Sequence, residues 1–226
     1  MALAAGRAVF VKHDIVSGRY LDYFADNEVT EQVIQERAWH YVVLQGGCQN
    51  AAYPETHHTI TPGSDFHPVR PALETLEAKI TANHPETRTV YMMPWAFEDG
   101  MTWVAGQTDT YADMQLRIYD NTIRWADALD LVLAPVGWAW YQVLSTGPPT
   151  HHLHHTDWNH PSLRGSYLST CVIYSTVFVE SVENVPYDGG LDPAQAAHLR
   201  GVASRTVMDS LELWNIAPTG STLPLP

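Results

Sequence analysis

The sequence predicts an α/β fold in which a parallel sheet carries helices on both faces. Three observations predict it. Short, continuously apolar runs recur at Tyr41-Val42-Val43-Leu44, Thr89-Val90-Tyr91-Met92-Met93 and Leu131-Val132-Leu133-Ala134, the pattern of strands buried on both faces. Segments with apolar residues at helical spacing lie between and after them. Alternation of this kind builds a parallel sheet covered by helices, with functional groups collected at the carboxyl ends of the strands.

The elements follow in order. Residues 1–6 are mostly helix formers and end in Gly6, which suits the position just past a helix end. One turn cannot nucleate a helix alone, so this segment reads as the tail of one. Ala8-Val9-Phe10-Val11 and the stretch to Val16 read as a strand, and residues 28–37 as a helix. Residues 71–82 hold Leu73, Leu76 and Ile80 on one helical face. Tyr111, Met114, Ile118, Trp125 and Leu129 recur at helical spacing in the next helix. Leu163, Tyr167, Cys171, Ser175 and Phe178 mark another, begun by Pro161 at the first helical position, with Ser162 in its first turn. Asp192-Pro193 opens the last helix, which carries Leu199, Ala203, Val207 and Leu211. Residues 52–70 form a long loop of the kind that is often functional, and residues 217–226 a Pro-rich tail. A chain of 226 residues supports one sizeable core, so residues 1–216 are expected to form a single α/β domain.

Composition excludes several functions. A net charge of −13 argues against nucleic acid as a partner, because phosphate binding needs clustered Lys and Arg. Two cysteines, Cys48 and Cys171, make no disulfide framework and no zinc spacing. No apolar run approaches the ~20 residues of a membrane span. The first residues show no basic region followed by an apolar stretch, so no signal peptide is visible and no compartment is assigned.

The segment Asp157-Trp158-Asn159-His160-Pro161-Ser162 carries the chemistry. A His becomes a useful general base when a carboxylate fixes its tautomer, and three-residue spacing across a tight turn can bring Asp157 to the Nδ1 side of His160. A helix starting at Pro161 would disfavour a positive charge on His160. Four histidines precede this block (His151, His152, His154 and His155) and His57, His58 and His67 lie in the long loop. Their spacing fits no common metal motif, so solvated or substrate-rim histidines are expected, and no metal. Trp95, Trp138 and Trp158 fall near strand ends, where they suit the rim of a cleft that stacks on sugar rings or acyl chains.

Asp157-x-x-His160-Pro161-Ser162, followed by Gly165-Ser166-Tyr167-Leu168, resembles the C-terminal catalytic block of the SGNH (GDSL-like) hydrolases. Trp39-His40-Tyr41-Val42-Val43-Leu44-Gln45 looks like that family's third strand. Ala134-Pro135-Val136-Gly137, followed by Ala139-Trp140, is similar to the stretch before the Asp–His block in a bacterial esterase branch. The resemblance runs roughly over residues 9–214. It implies a flavodoxin-like three-layer sandwich and a cofactor-free ester hydrolase acting on a small acyl or carbohydrate-linked ester. In it Asp157 and His160 stand where the family carries its catalytic pair. Gly47-Cys48-Gln49-Asn50 occupies the place of a Gly-x-Asn-Asp block, so Gly47 and Gln49, with Gly18, are the oxyanion candidates. Gln49 would donate from one methylene further out than Asn.

One departure matters. The family's nucleophilic Ser lies in a Gly-Asp/Asn-Ser segment after the first strand, and this sequence has no such segment. The resemblance therefore implies that the first strand and most of the first helix are absent, and that the chain as given is inactive. Ser17 and Cys48 are the alternative nucleophiles. A non-catalytic remnant that binds a glycan or a protein is the alternative function. Loss of an internal strand would expose a sheet edge, through which self-association is expected.

Overall fold

The structure, a computed structural model, describes residues 1–53, 68–102, 109–146 and 152–216. His57, His58, His67, Trp103, His151 and the Pro-rich tail lie outside the described residues. Three parallel strands pair in chain order: β1 (Tyr41–Gln45), β2 (Arg88–Met92) and β3 (Val132–Ala134). Tyr41 stands opposite Arg88 and Gln45 opposite Met92, while Met92 also faces Ala134. The carboxyl ends of all three strands are thus level, and the loops after them converge.

Eight α-helices surround the sheet among the described residues: α1 (Leu21–Ala25), α2 (Glu28–Gln35), α3 (Cys48–Ala52), α4 (Val69–Asn83), α5 (Tyr111–Leu129), α6 (Val136–Thr146), α7 (Leu163–Phe178) and α8 (Pro193–Met208). The first five pack among themselves, and the last three likewise; α5 also packs on α6, and α5 and α7 both meet β3. This is a parallel sheet flanked by helices on both faces, as the apolar runs predict. β2 and β3 are buried almost throughout, and Leu73, Leu76, Ile80, Met114, Ile118 and Trp140 fill the space around them.

Local chemistry sets the helix limits. Asn27 caps α2 by accepting from the Val29 and Thr30 amides, and Asp192 caps α8 through Ala194 and Gln195. Thr110 and Asp113 close a reciprocal capping box at the start of α5. Gly6 adopts a left-handed conformation (φ 75°) after a single 3-10 turn at Ala2–Ala5.

Four expectations are corrected. Residues 8–16 form no strand and have no ladder pairing among the described residues; side chains tie the segment down instead, through Lys12 to Glu36 (3.0 Å), Asp14 to Thr30 (2.6 Å) and Phe10 stacked on Trp39. β1 is not buried on both faces but is the sheet edge among the described residues, with Val43 45% exposed. The helix after His160 begins at Leu163 and not at Pro161: Ser162 is its N-cap, accepting from Gly165 N–H, while Pro161 bridges to His154. Leu163 consequently lies exposed and outside the buried stripe of α7.

Candidate active site

The loop 152–162 is folded onto the carboxyl end of the sheet by backbone hydrogen bonds to itself and to the segment after β2. His155 N–H donates to His160 O (2.7 Å), Trp158 N–H to His155 O (3.0 Å) and Ser162 N–H to Leu153 O (2.8 Å). The Glu98 amide donates to Trp158 O, and the Trp95 indole to Asn159 O at 2.7 Å. Trp158 takes a left-handed conformation (φ 61°) at the apex, a strained choice for a bulky residue that closes the turn between Asp157 and His160.

Within that turn, Asp157 Oδ2 lies 2.8 Å from His160 Nδ1. Its Oδ1 accepts from the His160 amide at 2.9 Å and the Asn159 amide at 3.1 Å. The bond from the His160 ring, then the backbone amides of His160 and Asn159, hold the Asp157 carboxyl well below the usual carboxylate range. An ionised Asp157 fixes the proton of a neutral His160 on Nδ1, leaving Nε2 as an acceptor. Because α7 begins three residues beyond His160, a helix end contributes little there; the field of a helix terminus fades within a turn.

His160 and Asn159 line a cavity of about 1680 Å³ that runs between β1 and residues 8–16. Gly18, Gly47, Gln49 and Trp95 share its walls, as do Ser17 and Cys48. The structure therefore brings the oxyanion candidates and the base to one cavity. Tyr20, to which nothing in the sequence draws attention, occupies that ground: its hydroxyl accepts from Gln49 Nε2 at 2.6 Å, and its ring would lie 2.7 Å from a Cβ at Gly47. Gly18 has open space around it and φ 70°.

Neither alternative nucleophile is coupled to the base. Burial pushes the Cys48 thiol up to about 12, and its Sγ is near Gln49 Oε1 (3.6 Å) and Asn159 Oδ1 (3.9 Å). Ser17 is exposed on the cavity wall. Among the described residues, no Ser, Thr or Cys is hydrogen-bonded to His160.

The tryptophans separate. Trp95 stacks on Trp140 (4.5 Å) and faces the cavity, and Trp158 is exposed beside the Asp–His turn. Trp138 is not on the cavity wall; it packs between Tyr119 and Tyr141 where α6 meets α5, a structural contact and not a rim. The histidines separate too. His152 and His155 are exposed, as expected, but His154 is buried, with Nε2 2.8 Å from Ala96 O and its ring edge-on to Trp140 and Tyr111. Burial holds its pKa below the ordinary value, so it pins the loop to the segment after β2 as a neutral donor. Gln115 braces the same segment through Ala96 N–H and Pro94 O. Among the described residues, no group of three His, Cys, Asp or Glu side chains could hold a metal ion, and no helix is long and apolar enough to cross a membrane.

No protein-family model matches this sequence, and neither does any curated protein. Two solved structures share the fold. The crystal structure of a DUF4886 family protein from Bacteroides uniformis superposes with a TM-score of 0.67 at 16% identity, covering 87% of this chain and 81% of that one. A protein from Slackia heliotrinireducens, put forward as an SGNH hydrolase, superposes with a TM-score of 0.55 at 20% identity, covering 70% of this chain and 79% of that one. The likeness is one of fold: an α/β architecture of the SGNH-hydrolase kind.

Proposed function

We propose that this chain carries the acid–base half of an SGNH-type ester hydrolase, with His160 as general base and Asp157 as the carboxylate that orients it. The 2.8 Å bond between Asp157 Oδ2 and His160 Nδ1, on the wall of a cavity at the carboxyl end of the sheet, carries this reading. In the complete site a Ser hydroxyl gives its proton to His160 Nε2 as its oxygen bonds to the ester carbon; the alcohol leaves with that proton. Water then attacks the acyl-Ser, again losing a proton to His160, and the acid is released as the Ser regains its proton. Gly18, Gly47 and Gln49 are the candidates for the oxyanion, which requires Tyr20 to withdraw from Gln49 and Gly47. The substrate class that suits the aromatic surroundings of Trp95 and Trp158 is a small acyl or carbohydrate-linked ester.

With no hydroxyl or thiol bonded to His160 among the described residues, the chain alone is expected to be inactive. It should release no more p-nitrophenol from p-nitrophenyl acetate than its His160→Ala variant does. Turnover that the variant loses would contradict this and would assign a nucleophile to Ser17 or Cys48. The second reading, binding of a glycan or protein without catalysis, is favoured by Tyr20, which engages the Gln49 amide and covers Gly47.

A further inference from the structure

Two consecutive peptide units carry the turn from Trp158 to His160, and each is held at both ends. In the first, the Trp158 carbonyl accepts from the Glu98 amide (3.0 Å) while the Asn159 amide donates to Asp157 Oδ1 (3.1 Å). In the second, the Asn159 carbonyl accepts from the Trp95 indole (2.7 Å) while the His160 amide donates to Asp157 Oδ1 (2.9 Å). Asp157 thus grips one edge of the turn, and the segment after β2 grips the other. Residues 155–158 and His160 are exposed, so water competes for these groups, and a donor already fixed in place loses least entropy in holding them. Trp95 is such a donor. Its ring lies flat on Trp140, with 4.5 Å between centroids and 8° between planes. Gln115, fully buried, fixes the backbone on both sides of it, accepting from the Ala96 amide (2.8 Å) and donating to Pro94 O (3.3 Å).

We propose that Trp95 is a positioning residue for the Asp157–His160 pair: its indole N–H fixes the Asn159–His160 peptide plane, and with it the direction from which the His160 ring meets Asp157. Its role rests on the reading of His160 as a general base. Rotation of that plane would carry the His160 amide away from Asp157 Oδ1 and ring Nδ1 away from Oδ2, because both groups stem from one residue. An indole donating to the carbonyl also polarises the amide at the other end of the unit, which strengthens its bond to the carboxylate. A Trp that served only to stack on a sugar ring or an acyl chain would keep its N–H for ligand or water. Here the N–H is committed to the backbone that bears the base. Phe would fill the same place on Trp140 and leave Asn159 O to water.

The test compares the full chain with Trp95→Phe, which keeps a ring on Trp140 and removes the donor. Trp39→Phe is the control, because the Trp39 indole also donates to backbone carbonyls (Val33 O and Ile34 O, 3.1 Å each) but at the amino end of β1. Nitrogen-15 NMR of neutral His160 and exchange of its amide are read in all three proteins. In Trp95→Phe the ratio of Nδ1–H to Nε2–H tautomer is expected to fall at least ~3-fold and the His160 amide to exchange at least ~5-fold faster. In Trp39→Phe both should stay within about 2-fold of the unsubstituted protein. A tautomer ratio that Trp95→Phe leaves unchanged, in a protein that does hold its proton on Nδ1, overturns the role of Trp95 and leaves the Asp157–His160 pair standing. Equal changes in the control mean a general loosening and overturn that role too. No preference for Nδ1 in the unsubstituted protein overturns the pair and the positioning role together. Should Trp95→Phe fail to fold, exchange of the Trp95 indole proton in the unsubstituted protein decides. Protection of at least ~10-fold supports the bond to Asn159, and exchange at the rate of an exposed indole overturns it.

Discussion

At the scale of single residues, two histidines six positions apart have opposite fates, and the cause is burial. His160 is largely exposed and bonded to a carboxylate, whereas His154 is buried and bonded to a carbonyl. Because burial depresses the pKa of His154, the unfolded chain binds a proton that the folded chain refuses, in the interval below about pH 6.5. Its contribution is therefore fully present above that pH and is lost as pH falls through the interval. The melting temperature should drop on going from about pH 7 to about pH 5, and His154→Gln should flatten that drop while lowering stability at neutral pH by about 1–3 kcal/mol. An unchanged pH dependence in the variant would show that other groups dominate. The sequence spacing makes the Asp157–His160 pair legible, because three residues and a turn suffice to join them. It does not distinguish His154 from its neighbours, since burial against Trp140 and Tyr111 depends on contacts distant in sequence. Tyr20 is illegible for the same reason: its partners, Gly47 and Gln49, lie beyond a helix pair.

At the scale of elements, the sequence reads best where periodicity and caps agree. Residues 111–129 are a helix over the span their apolar spacing suggests, and Asp192-Pro193 opens α8 as its chemistry requires. It reads worst where a proline has two uses. Pro161 suits a first helical position, yet it bridges to His154 and leaves the cap to Ser162. That arrangement depends on Gly165, where α7 passes so close to the loop that a Cβ would lie 2.4 Å from Leu153 O and 2.5 Å from the Trp140 ring. Gly165→Ala should destabilise the protein by about 1–3 kcal/mol in urea titration, whereas Ser166→Ala, on the exposed side of the same turn, should cost less than about 0.5 kcal/mol. Similar losses for both would mean that the close approach is not what positions the Asp–His loop. Helix α6 escapes the sequence reading because Val136-Gly137-Trp138-Ala139-Trp140 is apolar without an amphipathic stripe; both sides of it are covered.

At the scale of the whole molecule, the parallel sheet is legible from its apolar runs, but its edges are not. An apolar run announces burial on both faces and says nothing about which strands have neighbours. Among the described residues, β1 looks internal by composition and is an edge by pairing, and residues 8–16 look like a strand and join no ladder. Both discrepancies border the same cavity. In hydrogen exchange, amides of β1 should therefore exchange faster than those of β2, which has a strand on each side. Equal protection would place an unrecognised partner along β1.

The acid–base reading depends on which ring nitrogen of His160 bears the proton, and nitrogen-15 NMR of the imidazole reads this directly. The account predicts an Nδ1–H tautomer for neutral His160 in the folded protein, with Nε2 unprotonated, and loss of that preference in Asp157→Ala. A proton on Nε2, or an averaged ring that ignores the Asp157 substitution, would contradict it.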